Sequence, residues 1–132
     1  MKVLSIIEPW GTLIAQNKKN IETRSWSTKY RGELYFHTSQ KKVKLSDPKM
    51  QELAALVPGV DFNYGHIIFK CELVDCVYMD EEFIEKIKKN NTEYICGDYS
   101  AGRYAWILKN VTLLESPIPA KGQLSIWNFK AE

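Results

Sequence analysis

At 132 residues, with 45% hydrophobic and 26% charged side chains, the chain can bury a core without disulfides or a structural metal, and its composition is that of a globular rather than a disordered chain. A formal net charge of +2 singles out no partner. No stretch approaches the roughly 18 apolar residues of a membrane helix, and Glu8-Pro9 breaks the first apolar run too early for a secretory signal, so a soluble cytoplasmic protein without membrane contact is expected.

Taken in chain order, Val3–Ile7 reads as a buried first strand, and Pro9 stands near the first position of a helix that frays around Asn17. Ile21–Ser25 is a second strand candidate. Glu33–Thr38 alternates with Leu34 and Phe36 on one face, the period-two pattern of a half-buried strand. Ser46-Asp47-Pro48 opens a helix with Met50, Leu53, Ala54 and Val57 as its apolar stripe, and Gly59 ends it. Ile67–Tyr78 is the longest strand region. Its apolar phase switches near Leu73-Val74, which predicts a bulge or bend. Asp80 caps a helix carrying Glu81 and Glu82 in its first turn and Lys86, Lys88 and Lys89 in its last.

Asn90–Gly102 reads as a polar loop, Arg103–Leu108 and Val111–Leu114 as two further strands around Asn110, and Ser116–Pro119 as extended. A last short element covers Leu124–Trp127. Short strands, an early helix and no βαβ alternation predict an α+β fold: one domain over residues 1–132, a small, mainly antiparallel barrel with helices packed on it. Cys71, Cys76 and Cys96 are odd in number and form no CxxC pair, and His37 and His66 lie far from any ligand cluster. Reduced thiols, no metal and no cofactor are therefore expected.

Charge is distributed unevenly. Residues 17–49 hold nine basic side chains against three acidic ones, and residues 72–98 hold eight acidic against three basic, so one end of the chain carries a field suited to phosphate. Within the basic part, Glu22 and Arg24 point to one face of a strand, and Lys19 lies just before it. Beside Trp10 and Trp26 these groups form a candidate clamp for phosphate and base; a salt-bridged surface strand over two core tryptophans is the plainer reading. Tyr99, Ser100 and Arg103 lie in a turn-rich segment suited to ligand recognition, or to a hydrogen-bonded turn.

Asn17-Lys18-Lys19-Asn20-Ile21-Glu22-Thr23-Arg24 resembles the Gly-x-Lys-x-x-Glu-x-Arg hallmark of the ASCH family, within the PUA-like superfamily. Asn17 replaces the leading glycine, and asparagine also tolerates a left-handed helix end. Pro9-Trp10, Arg24-Ser25-Trp26, Arg31-Gly32, Gly102-Arg103-Tyr104-Ala105-Trp106 and Pro117-Ile118-Pro119-Ala120-Lys121-Gly122 are similar to segments of small bacterial and phage members, so the resemblance spans nearly the whole chain.

It implies a PUA-like β-barrel whose cleft engages RNA, another nucleic acid or a modified nucleotide. The site residues it implies, together with those read above, are Trp10, Lys19, Glu22, Arg24, Trp26, Arg31, Tyr99, Ser100 and Arg103. The family also contains hydrolases, acting on RNA or on N4-acylated cytidine; in an enzyme of that kind Lys19 and Glu22 would be the catalytic pair. The amidohydrolase branch carries threonine where this chain has Glu22, and a carboxylate there pairs with Lys19 and blunts it as a general base.

Overall fold

Residues 1–130 are described by the structure, a computed structural model. They form β1 (Lys2–Ile6), α1 (Trp10–Ala15), β2 (Ile21–Arg24), β3 (Gly32–Thr38), α2 (Pro48–Ala54), β4 (His66–Tyr78), α3 (Glu81–Lys88), α4 (Asn91–Ile95), β5 (Tyr104–Pro119) and β6 (Ile126–Asn128). The six strands make one sheet in the order β2-β5-β4-β3-β1-β6. Neighbours are antiparallel except β1 and β3. A parallel pair needs a long crossover, which the α1–β2 segment supplies.

The sheet is a half-barrel rather than a flat layer, with the helices packed on it. Its curvature comes from β4 and β5, whose pairing slips at Ile67/Phe69, Lys70/Glu72 and Leu73/Asp75. Each slip leaves extra residues on one strand and bends it. The last coincides with the apolar phase switch near Leu73-Val74. Along β4, Ile67, Phe69, Cys71 and Leu73 are buried; all but Ile67 pack with Leu4, Leu34, Phe36, Trp106 and Leu108 in the main core. Phe36 and Phe69 stack with ring centroids 4.9 Å apart. Ile67 joins a separate cluster with Val3 and Trp127.

Three expectations about the second half of the chain need correction. Residues 104–119 are one continuous strand: Asn110 takes a left-handed conformation (φ 56°) where the β4–β5 pairing slips between Lys70–Thr112 and Glu72–Lys109, and the bulge there absorbs it. The segment after Asn90 is not all loop: Asn90 caps α4 by accepting the Glu93 N–H at 3.2 Å. The last element begins at Ile126, beyond Ser125, whose φ of 59° belongs to a turn.

Among the described residues, β6 pairs only with Lys2–Leu4 of β1, and β2 has β5 as its only strand partner. The half-barrel therefore leaves a seam between the far end of β1 and the free edge of β2. The Arg24 guanidinium spans that seam, donating from Nη2 to the Ser5 carbonyl at 2.9 Å.

A candidate nucleic-acid recess at the barrel seam

Construction of the seam begins at α1. Gly11 lets the helix lie against β3, since a Cβ there would sit 2.7 Å from Thr38 Cγ2. Buried Glu8 closes the helix start: Oε1 accepts the Thr12 N–H at 2.7 Å, and Oε2 accepts the Thr12 hydroxyl and, at 2.9 Å, the Asn63 N–H. Burial pushes the Glu8 carboxyl above its ordinary pKa, against these hydrogen bonds. Asn17 (φ 60°) ends the helix, and the Lys18 and Lys19 N–H groups return to the Leu13 carbonyl. This turn sends Lys19 inward, where it is 1% exposed.

Lys19 Nζ donates to the Cys96 carbonyl at 2.8 Å and lies 3.6 Å from Glu22 Oε1. Glu22 Oε2 in turn accepts from Arg24 Nε at 3.0 Å and lies 2.8 Å from Nη2. A buried carboxylate thus stands between two cations, the arrangement that offsets the desolvation of all three. Helix α4 supports it from behind. Its Glu93 carboxylate accepts the Asn20 and Ile21 N–H groups at 2.8 and 3.3 Å, pinning the start of β2, and the carbonyl that receives Lys19 belongs to its C-cap, Cys96.

The outer wall follows directly. The Asp98 N–H reaches Thr23 Oγ1 at 3.2 Å; Arg103 donates to the Asp98 and Thr23 carbonyls at 3.2 and 3.3 Å and lies 3.5 Å from Asp98 Oδ2. Together these residues enclose a recess of about 610 Å³, lined by Ser5–Ile7 and Trp10 on one side and Lys19, Glu22–Arg24, Ile95–Asp98 and Arg103 on the other, with Ser39 and Lys49 at its margin. Its lining carries four cationic side chains and two carboxylates, an excess of positive charge.

Of the residues singled out in the sequence, Trp10, Lys19, Glu22, Arg24 and Arg103 line this recess. Four others stand elsewhere. Trp26 meets Trp106 edge-on at 4.8 Å and accepts its Nε1–H at the backbone carbonyl, which places it in the barrel wall. Arg31 lies 3.6 Å from Asp75 and donates to the Thr28 and Tyr30 carbonyls on the outer surface. Tyr99 is buried against Tyr94, and burial together with Glu93 pushes its phenol to a higher pKa. Ser100 donates to the Asp98 carboxylate.

Asp98, the acid of the same turn-rich segment as Tyr99, Ser100 and Arg103, also lines the recess; Ser5, Ser39, the Cys96 carbonyl and the supporting Glu93 were not foreseen. For the last there was a signal: Asn90-x-x-Glu93 has the form of a helix-capping pair. Among the described residues no group of three or more His, Cys, Asp or Glu side chains is arranged to hold a metal ion, and no helix is long and apolar enough to cross a membrane.

A mixed half-barrel with helices on its face and a recess at its seam defines a PUA-like α+β fold. The chain belongs to the ASCH domain family, whose model it matches over residues 4–118. It is 28% identical over 138 aligned positions to the human and mouse proteins named activating signal cointegrator 1, an alignment that takes in 98% of this chain and 22% of each relative. It therefore spans about a fifth of the length of those curated relatives. Among solved structures, an ASCH protein from Zymomonas mobilis superposes with a TM-score of 0.56 at 16% identity, covering 89% of this chain and 72% of that one. A mutant of the Zymomonas protein gives 0.55 at 15% identity, with 89% and 74% coverage. At such identities the likeness is one of fold.

Proposed function

We propose that this ASCH domain binds RNA or a nucleotide in the seam recess, with Lys19 and Arg24 attracting phosphate, Trp10 offering an apolar wall to a base, and Glu22 holding the two cations in register. The observation that carries the reading is a fully buried lysine whose ammonium is fixed at the floor of a solvent-reached, net-positive recess. Burying a cation is costly, and a merely structural one is better replaced by an apolar side chain. The family's general association with RNA binding points the same way.

Lys19 meets both the Glu22 carboxylate and the Cys96 carbonyl, contacts that suit an anchored cation better than a proton acceptor. Binding is accordingly favoured over hydrolysis.

The test is titration of mononucleotides and short single-stranded RNA at two salt concentrations, with Lys19→Met, Arg24→Ala and Trp10→Ala. Affinity is expected to fall with salt by a slope of about −0.7 per phosphate engaged, and to drop in all three variants. The RNA should be recovered intact. Turnover abolished by Glu22→Ala would replace this reading with the hydrolytic one, and binding indifferent to all three substitutions would remove it.

A further inference from the structure

A second cavity, of about 470 Å³, opens on the far side of Ser5 and Ser39, and both of those residues also line the seam recess. The two spaces are therefore neighbours across a shared pair of hydroxyls. Their chemistry differs. The first carries six charged side chains; the second has Lys121 as its one charged group, with the neutral polar groups of His37, Gln40 and Gln123 around it. Each volume falls in the range of roughly 300–1,000 Å³ that takes a small-molecule unit.

The junction has a defined hydrogen-bond polarity. The Ala120 carbonyl, 2.7 Å from His37 Nε2, can only accept, so Nε2 carries the ring proton and Nδ1 is bare. Burial, which lowers the His37 pKa, is consistent with a neutral ring. Nδ1 therefore accepts the Ser5 hydroxyl proton at 3.1 Å. Ser5 Oγ also accepts the Trp127 Nε1–H at 3.1 Å. A hydroxyl has one proton and two lone pairs, so what Ser5 has left for a ligand is a single acceptor.

Resting on the RNA or nucleotide reading of the first recess, we propose that the two cavities form one trough for a single-stranded oligoribonucleotide of at least two residues. One nucleotide occupies the seam recess, its neighbour occupies the cavity beside His37 and Gly122, and a ribose hydroxyl at the crossing donates to Ser5 Oγ. The alternation of a charge-rich and a neutral compartment matches a chain of alternating phosphates and nucleosides. A free mononucleotide would leave the second compartment unused, and a deoxy strand would leave the Ser5 acceptor unmatched.

Calorimetric titration of the whole chain with a ribomononucleotide, the corresponding ribodinucleotide and its all-deoxy counterpart tests this. Gly122 lines the second compartment and not the first, and Gly122→Ala places a Cβ 3.0 Å from His37 Cε1 and 3.1 Å from Ser5 Oγ. The ribodinucleotide is expected to bind about tenfold tighter than the mononucleotide and about fivefold tighter than the deoxy form. Gly122→Ala should cancel the dinucleotide advantage, bringing the two affinities together.

Ser5→Ala should erase the ribose preference; because it also strips partners from Trp127 and His37, and Gly122→Ala presses on the same two groups, melting curves accompany both, and the dinucleotide-against-mononucleotide comparison on the unaltered protein stands as the independent arm. Mononucleotide binding that depends on Arg24, with no gain for the dinucleotide, would overturn the trough and leave the first recess standing. Equal affinity for the ribo and deoxy strands would overturn the Ser5 assignment. Failure of every nucleotide to bind would overturn both readings.

Discussion

Glu22→Gln separates stability from affinity, because the same carboxylate stabilises the fold and opposes the ligand. At 3.6 Å and an effective dielectric of about 20, the Lys19–Glu22 attraction is about 4–5 kcal/mol gross, and the Arg24 contact at 2.8 Å is somewhat larger. Desolvation of the carboxylate offsets much of this, and Arg24, with its side chain 23% exposed, is screened by water. Glutamine keeps the shape but turns an N–H₂ toward one of two cations, so a net loss of about 3 kcal/mol is expected, the low end for breaking a buried ion pair. For a domain of this size that lowers the melting temperature by about 10 °C.

Affinity moves the other way. A phosphate about 6 Å from the lost charge, at a dielectric of about 40, gains about 1.4 kcal/mol, or roughly tenfold. Differential scanning calorimetry and nucleotide titration read the two effects on one sample. A variant melting within about 2 °C of the parent, or binding more weakly, would refute the arrangement of one carboxylate between two anchored cations.

Glu93→Gln should lower stability by about 2 kcal/mol, because two backbone N–H groups at the start of β2 lose a charged acceptor; chemical denaturation measures it. Gly97→Ala forces a Cβ to within 2.7 Å of Tyr99 Cε2 and 3.0 Å of Thr23 Cγ2, and should cost about 1–3 kcal/mol by the same assay while distorting the recess wall. Burial holds the His37 pKa below its ordinary value, with nearby His66 adding to the effect and the Ala120 hydrogen bond opposing it. The neutral form is thus favoured in the fold, its contribution is complete above about pH 6.5 and is lost as the pH falls through the depressed value, and His37→Asn should flatten that part of a melting-temperature profile. Burial pushes the Cys71 thiol up to about 12 and raises that of Cys96, whereas Cys76 is half-buried, so a disulfide reagent at neutral pH should titrate one thiol quickly and two slowly.

Much of the first half of the fold was legible because its signals are local. The alternation of Leu34 and Phe36 in β3, the Asp47 and Asp80 caps, and the phase switch in β4 each act within a few residues, and the structure keeps them; the β3 alternation stops at a bulge between Phe36 and His37, beyond which His37 and Thr38 are both buried. Asn17 was readable for the same reason: a left-handed helix end is a property of one residue and its turn. β5 was not. Asn110 carries a turn residue's signature, but the long ladder against β4 overrides it.

The recess shows the same division. Lys19, Glu22 and Arg24 share a short segment whose spacing brings them together. Trp26 and Tyr99 have polar neighbours in sequence, yet tertiary packing against Trp106 and Tyr94 takes them away from the recess. Ser5 and Ser39 approach it only when β1, the end of β3 and β2 converge, which no local pattern announces.

The unclosed seam has a mechanical consequence. Among the described residues no ladder joins the two strand edges, and the Arg24 guanidinium hydrogen-bonds across them, so this is where the barrel should breathe first, and amides of β2 are expected to exchange with solvent ahead of those in β4. A guest bridging both edges would act as mortar, tightening the whole cylinder in proportion to its occupancy. Slower exchange at residues 21–24 would then report filling of the seam even for a guest that is itself invisible to spectroscopy.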